Sequence, residues 1–207
     1  MRPAQPARHA RGLSAAVTLT TVLVALAGCG EDDPSGVLRV GGKLEGIYEV
    51  TAYHENDMGC GDLGEDALDT VGARFLSLRV GTEEIFGFET AVARLYECET
   101  EAECRAEPSS NTTGLGRSFF DARGDALEFV VSSSGSPQGS DTCDATRTVF
   151  RLYGVDEPRG LALETTTQEA TVGRDGDDFC DFESKALVNA PCATRDLLEA
   201  EFVGELE

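Results

Sequence analysis

Six cysteines spread through the body of the chain carry the most chemical potential: Cys60, Cys98, Cys104, Cys143, Cys180 and Cys192. Thiols can ligate a metal, act as nucleophiles or pair. Structural zinc sites draw their ligands from closely spaced Cys and His pairs, whereas this chain has no Cys-x-x-Cys and only His9 and His54. Disulfides are therefore expected, and these persist in oxidising compartments. Cys98 and Cys104 flank a short turn-like stretch and are expected to pair locally, while spacing leaves the other pairings open. No metal and no cofactor is expected. A hydrolase using carboxylates would draw on His54 or on the acidic run Asp175, Asp177, Asp178, Asp181 and Glu183. No Gly-x-Ser-x-Gly elbow accompanies His54, which stands in His54-Glu55-Asn56-Asp57, where a strand runs into a loop. Counted as a calcium loop from Asp175, the acidic run reaches Ala186 where an EF-hand needs Glu. It reads instead as a solvated turn. Arg123-Gly124-Asp125 spells an adhesion tripeptide, but Gly and Asp are also what a hairpin turn requires. Asn111-Thr112-Thr113 spells a glycosylation sequon, and Gly114-Leu115-Gly116 lacks the further Gly and Lys of a phosphate loop. No residue is nominated as catalytic, and a non-catalytic binding or structural role is expected.

Charge narrows the partners. The 207 residues carry 17 Lys+Arg against 38 Asp+Glu, a net charge of -21. Nucleic acid is excluded as a partner, because phosphate contacts need clustered cations. Hydrophobic residues make up 41%, enough for a packed core. The N-terminus differs from the rest: Arg2, Arg8 and Arg11 precede a largely apolar run from Leu13 to Gly28. That run is shorter than the ~20 residues of a membrane-spanning helix and suits a signal peptide. It ends in Leu26-Ala27-Gly28-Cys29, which resembles the lipobox of bacterial lipoproteins. The resemblance implies that residues 1–28 are a lipoprotein signal peptide, that cleavage falls before Cys29, and that Cys29 carries diacylglycerol on sulfur and palmitate or a similar acyl chain on its amine. It further implies a lipid-anchored protein of the bacterial cell envelope. Gly30 in place of Asp after the lipidated cysteine favours the outer membrane or periplasmic face of a Gram-negative cell. The rival is ordinary secretion, with cleavage at the small-x-small site Ala25-Leu26-Ala27. Cysteine parity favours lipidation, since setting Cys29 aside leaves an even number. Residues 29–36 then read as a lipidated tether and 37–207 as a single domain.

That domain reads as strands. Leu44 to Glu55 alternates, with Gly46, Tyr48, Val50 and Ala52 on one side and only Ile47 and Tyr53 out of phase. Arg74 to Val80 repeats the pattern, and Gly81-Thr82-Glu83 is expected to turn it into a strand from Ile85 to Tyr96. Ser118 to Phe120 and Ala126 to Val131 form a second hairpin, with further strands at Thr146–Tyr153, Gly160–Val172 and Asp181–Val188. Leu197 to Val203 is a strand or a short helix capped by Thr194, Glu99 to Ala106 holds one helical turn, and Ser132 to Ser140 reads as a loop. These elements predict an all-β fold, a single antiparallel meander forming a barrel or sandwich, with the barrel favoured because closure removes exposed edges. Gly46-Ile47-Tyr48 resembles the Gly-x-Trp start of lipocalins, with Tyr48 in place of Trp, and implies a lipocalin-like topology. If the barrel carries a small apolar ligand, Tyr48, Val50, Leu76, Leu78, Phe150 and Leu152 are the expected lining; otherwise they fill the interior. A protein partner of basic character is the other expectation, alongside the membrane reached through Cys29.

Overall fold

The computed structural model describes residues 34–56, 60–106, 116–135, 141–157, 159–175, 179–180 and 185–206. Alternating apolar residues become strands wherever they were expected between residues 46 and 172. In chain order the elements are α1 (Pro34–Leu44), β1 (Gly46–His54), β2 (Phe75–Ile85), β3 (Phe88–Cys98), α2 (Glu101–Arg105), β4 (Arg117–Phe119), β5 (Asp121–Arg123), β6 (Ala126–Gly135), β7 (Thr142–Val155), β8 (Gly160–Asp175), β9 (Phe179–Cys180), α3 (Lys185–Val188) and β10 (Cys192–Gly204). All pairings are antiparallel, and the strand path runs β4-β3-β2-β1-β10-β8-β7-β6-β5.

The two ends of that path are consecutive in the chain, separated by Phe120 alone. β4 pairs with β3 through Arg117 to Phe119, and β5 pairs with β6 through Asp121 to Arg123. The interrupted segment β4–β5 thus serves as one stave with a neighbour on each side. The last strand, β10, pairs with β1. The sheet is a nearly closed, barrel-like meander whose seam is short, since β4 pairs with only three residues of β3 and β5 with only three of β6.

Register separates two faces. Tyr48, Leu76, Leu78, Leu95, Phe119, Leu127, Leu152, Leu161, Leu163 and Leu198 point inward and form one buried cluster. The two residues out of phase in β1 each have a reason. Ile47 faces outward but is fully buried beside Cys98 and Cys104. Tyr53 is returned to the interior by an irregularity between Val50 and Ala52, where β1 slips against β10.

Helix α1 lies outside what the sequence suggested: it starts at Pro34, within the expected tether 29–36. Its glycines read as a loop, since Gly is a poor helix former. The contrary signal was Val37, Val40 and Leu44, spaced along one helical face; Val37 and Val40 are buried in the barrel cluster. Gly41 allows close approach, because a Cβ there would come 2.8 Å from a Val80 methyl. The helix plugs the barrel end formed by the β2–β3, β5–β6 and β7–β8 connections.

Four further expectations differ from the structure. The hairpin expected between Ser118–Phe120 and Ala126–Val131 is not formed: β4 pairs with β3, and the hairpin partner of β6 is β5. β2 does not turn at Gly81-Thr82-Glu83 but pairs onward to Ile85, and the turn is Phe86-Gly87. Ser132 to Gly135 continue β6 rather than opening a loop, because each pairs with β7. Lys185 to Val188 are helical, not strand, and bury Leu187 against Cys143, Ala145 and Val172; residues 181–184 lie outside the described residues. Of the two readings of Leu197 to Val203, the strand is realised.

Helix α2 sits on the outer wall. Thr100 Oγ1 accepts from the Glu103 amide at 3.2 Å, and Glu103 in turn accepts from the Glu99 amide at 2.8 Å, a reciprocal cap. Arg79 then donates to the carbonyls of Cys104, Arg105 and Ala106 at 3.0 to 3.2 Å. Arg79→Met is expected to cost about 2 kcal/mol in urea unfolding, since it strips a charged donor from three carbonyls. A loss near zero would show that water replaces the guanidinium.

Candidate functional site

The barrel interior has two unlike halves. At the plugged end Tyr48, Leu76, Leu78 and Leu152 are at most 1% exposed and Val50 is 6% exposed. Five of the six expected lining residues therefore belong to one buried cluster that also takes in Val37 and Val40 of α1. The sixth, Phe150, is half-buried and stacks on Phe129 with ring centroids 5.9 Å apart. Tyr48 donates its hydroxyl to the Leu44 carbonyl. Burial pushes its phenol up to about 12, with Arg159 opposing and Glu205 reinforcing the rise. The folded protein thus holds this proton more tightly than the unfolded chain does. Stability supplied by the neutral phenol is complete below pH 10 and is lost as pH rises towards about 12. Alkaline absorbance titration should show one tyrosine ionising only with unfolding; a smooth titration of all tyrosines near pH 10 would contradict this.

Towards the other end the inward positions turn polar. Arg117 lies over Phe150 of β7, 4.5 Å from the ring centroid. Burial lowers its pKa, and the Glu97 carboxylate acts in the opposite direction. Thr148 and Thr167 share a hydrogen bond at 3.2 Å. These inward side chains are only half-buried.

A second feature lies on the outer wall of β6, β7, β8 and β10. An open groove of about 440 Å³ is lined by Glu128, Arg147, Val149, Arg151, Glu164, Thr166, Gln168 and Arg195, with Cys60 and Cys192 at its rim. The pleat places it, since Arg147, Val149 and Arg151 alternate with the inward Phe150 and Leu152. Arg195 donates to Glu164 at 2.7 Å, and Arg151 lies 3.8 Å from Glu128. Arg147 differs, for it donates to the neutral amide oxygen of Gln168 at 3.0 Å. Gln168 is itself held by the Val188 and Ala190 carbonyls. Three guanidinium groups thus converge in a chain of net charge -21, and one faces no carboxylate within ion-pair distance among the described residues. The sequence did not flag these arginines. Their only signal was equal parity on one strand, Arg147 and Arg151, and Arg195 joins them only through the β8–β10 pairing.

Cys60 bonds Cys192 and Cys98 bonds Cys104, with Cα separations of 5.2 and 5.5 Å. Cys143 is also disulfide-bonded. His54 is half-buried, and its Nδ1 lies 3.1 Å from the Gly64 carbonyl oxygen, an interaction with backbone. Arg123-Gly124-Asp125 forms the β5–β6 turn, with Gly124 at φ +64° and Arg39 of α1 3.8 Å from Asp125. Cys29, Asn111, Gly114, Leu115 and the side chains of Asp175, Asp177, Asp178, Cys180, Asp181 and Glu183 lie outside the described residues. Among the described residues no three His, Cys, Asp or Glu side chains are placed to hold a metal.

The chain matches no family model, no curated protein and no solved structure. Its function must therefore be argued from these two surfaces.

Proposed function

We propose that this is a lipid-anchored bacterial envelope protein with a non-catalytic binding role, and that the outer groove receives an anionic group. The observation that carries the binding role is Arg147, a guanidinium fixed by a neutral partner in a groove it shares with Arg151 and with Arg195, which is paired with Glu164. An entering carboxylate, phosphate or sulfate would gain a charge-assisted hydrogen bond there without breaking an ion pair. The packed plugged half weighs against a carrier of small apolar ligands, because filling that space would mean displacing core side chains. Anchoring at Cys29 is supported by the lipobox-like sequence. Five residues, 29–33, would separate the lipid from α1 and span at most ~17 Å.

Thermal unfolding in increasing inorganic phosphate tests the groove. A ligand that binds only the folded state stabilises it by about 2.7 kcal/mol at a hundred times its Kd. Phosphate also stabilises proteins by exclusion from their surface, so the decisive comparison is with Arg147→Gln. The wild-type chain is expected to show a saturating rise in melting temperature that this variant lacks. Equal rises in both would refute the groove as an anion site.

A further inference from the structure

The β2–β3 hairpin extends well beyond the core. Ala91 is the residue nearest the tip that joins the buried cluster; its partner Thr82 is exposed, and Glu83–Thr90, Glu84–Glu89 and Ile85–Phe88 follow before the turn. Phe86 at the tip is 96% exposed, and Phe88 is 74% exposed. Folding does not account for the choice. Phe86 adopts φ 53° ahead of Gly87 at φ 84°, a tight turn in which the first position favours Asn, Asp or Gly and disfavours a bulky side chain. The stem is stiff: Arg94 forms an ion pair with Glu83, and the resulting hydrogen bond holds the Glu83 carboxyl below its usual range.

The hairpin projects from the plugged end, which is also the end at which the chain enters α1. From Val80 to Ile85 five residues advance ~17 Å along a strand. The five residues from Cys29 to α1 reach at most about the same distance. The geometry points to the Phe86–Phe88 tip as a second membrane contact, inserting its aromatic rings into the lipid surface beside the acyl chains on Cys29. This rests on the lipid-anchor reading above. Phenylalanines with nothing beneath them gain by leaving water at the headgroup boundary. Glu84 and Glu89 stand close behind the tip, so the matching surface is zwitterionic rather than anionic. A second, weaker attachment would also fix how the barrel stands: plugged end down, with the polar half of its interior facing away from the lipid.

The sequence contains no tryptophan, so Phe86→Trp introduces a single indole, which can be excited selectively beyond the tyrosine absorption band. The full-length lipidated variant, made in cells fed radioactive fatty acid, is reconstituted into vesicles of phosphatidylcholine and phosphatidylethanolamine carrying brominated acyl chains. Val188→Trp on α3, 46% exposed at the far end of the barrel, serves as the control. The indole at position 86 is expected to shift to the blue and to be quenched by the bromolipid, and the indole at 188 to do neither. Labelled protein whose two indoles behave alike would overturn the membrane contact while leaving the anchor standing. A blue shift at position 86 that depends on protein concentration without lipid would assign the tip to a second copy and likewise overturn it. Protein that carries no label removes the anchor, and the proposed contact with it.

Discussion

Replacing Cys60 and Cys192 together by alanine is expected to destabilise the folded chain by about 5 kcal/mol. The bond closes a loop with a sequence separation of 132, against 6 for Cys98–Cys104. In the chain-entropy model the unfolded state gains freedom with the logarithm of that length, so the shorter bridge is worth only about 2 kcal/mol. The long bridge also has a local role. It ties the segment after β1 to the first residue of β10 and forms the rim of the arginine groove. Urea unfolding of the two double-alanine variants, compared at equal slope, checks the contrast. Similar losses from the two would mean that the unfolded chain stays compact enough for loop length not to matter.

The second large effect is expected at the seam of the barrel. Phe119 is fully buried among the inward cluster, whereas its neighbour Phe120, the one residue between β4 and β5, is 43% exposed. Phe119→Ala should cost about 3 to 5 kcal/mol, combining lost transfer energy with an unfilled cavity. Phe120→Ala should change stability by about 0.5 kcal/mol or less. The paired substitution asks whether closure depends on the side chain that the interrupted stave sends inward. Comparable losses at both positions would show that the outward ring also holds the seam.

The strands were legible because one buried face imposes a two-residue period, clear from Gly46 to Val50 and from Leu76 to Val80. The barrel could be favoured but not closed on that basis, because closure depends on a three-residue strand, a break at Phe120 and a second three-residue strand. Neither half is long enough to show a period. Helix α1 was masked by its glycines, of which Gly41 packs closely against Val80 and Ala93. The β2–β3 turn was placed too early because Gly81 looked like a turn residue, while the true turn opens on Phe86, an unfavourable choice for that position. Cys98–Cys104 was readable from its short spacing, but Cys60–Cys192 depends on the meander bringing its last strand back to its first. The groove was invisible for the same reason. Its three arginines come from β7 and β10, two strands distant in sequence that flank β8 in the sheet.

The lipid anchor and the membrane contact both depend on the fate of seven cysteine sulfurs. Setting Cys29 aside for lipid leaves Cys180 as the partner of Cys143, and β8 pairing sets Cys180 opposite Arg174 and Cys143 opposite Val172, at the same end of the barrel. Mass spectrometry of the mature protein, digested without reduction, tests this directly. The account predicts an N-terminal peptide that begins at Cys29 and carries acyl chains, three bridges joining Cys60 to Cys192, Cys98 to Cys104 and Cys143 to Cys180, and no free thiol. A mature chain in which Cys29 is unacylated, or in which Cys29 itself is bonded to Cys143, would contradict it.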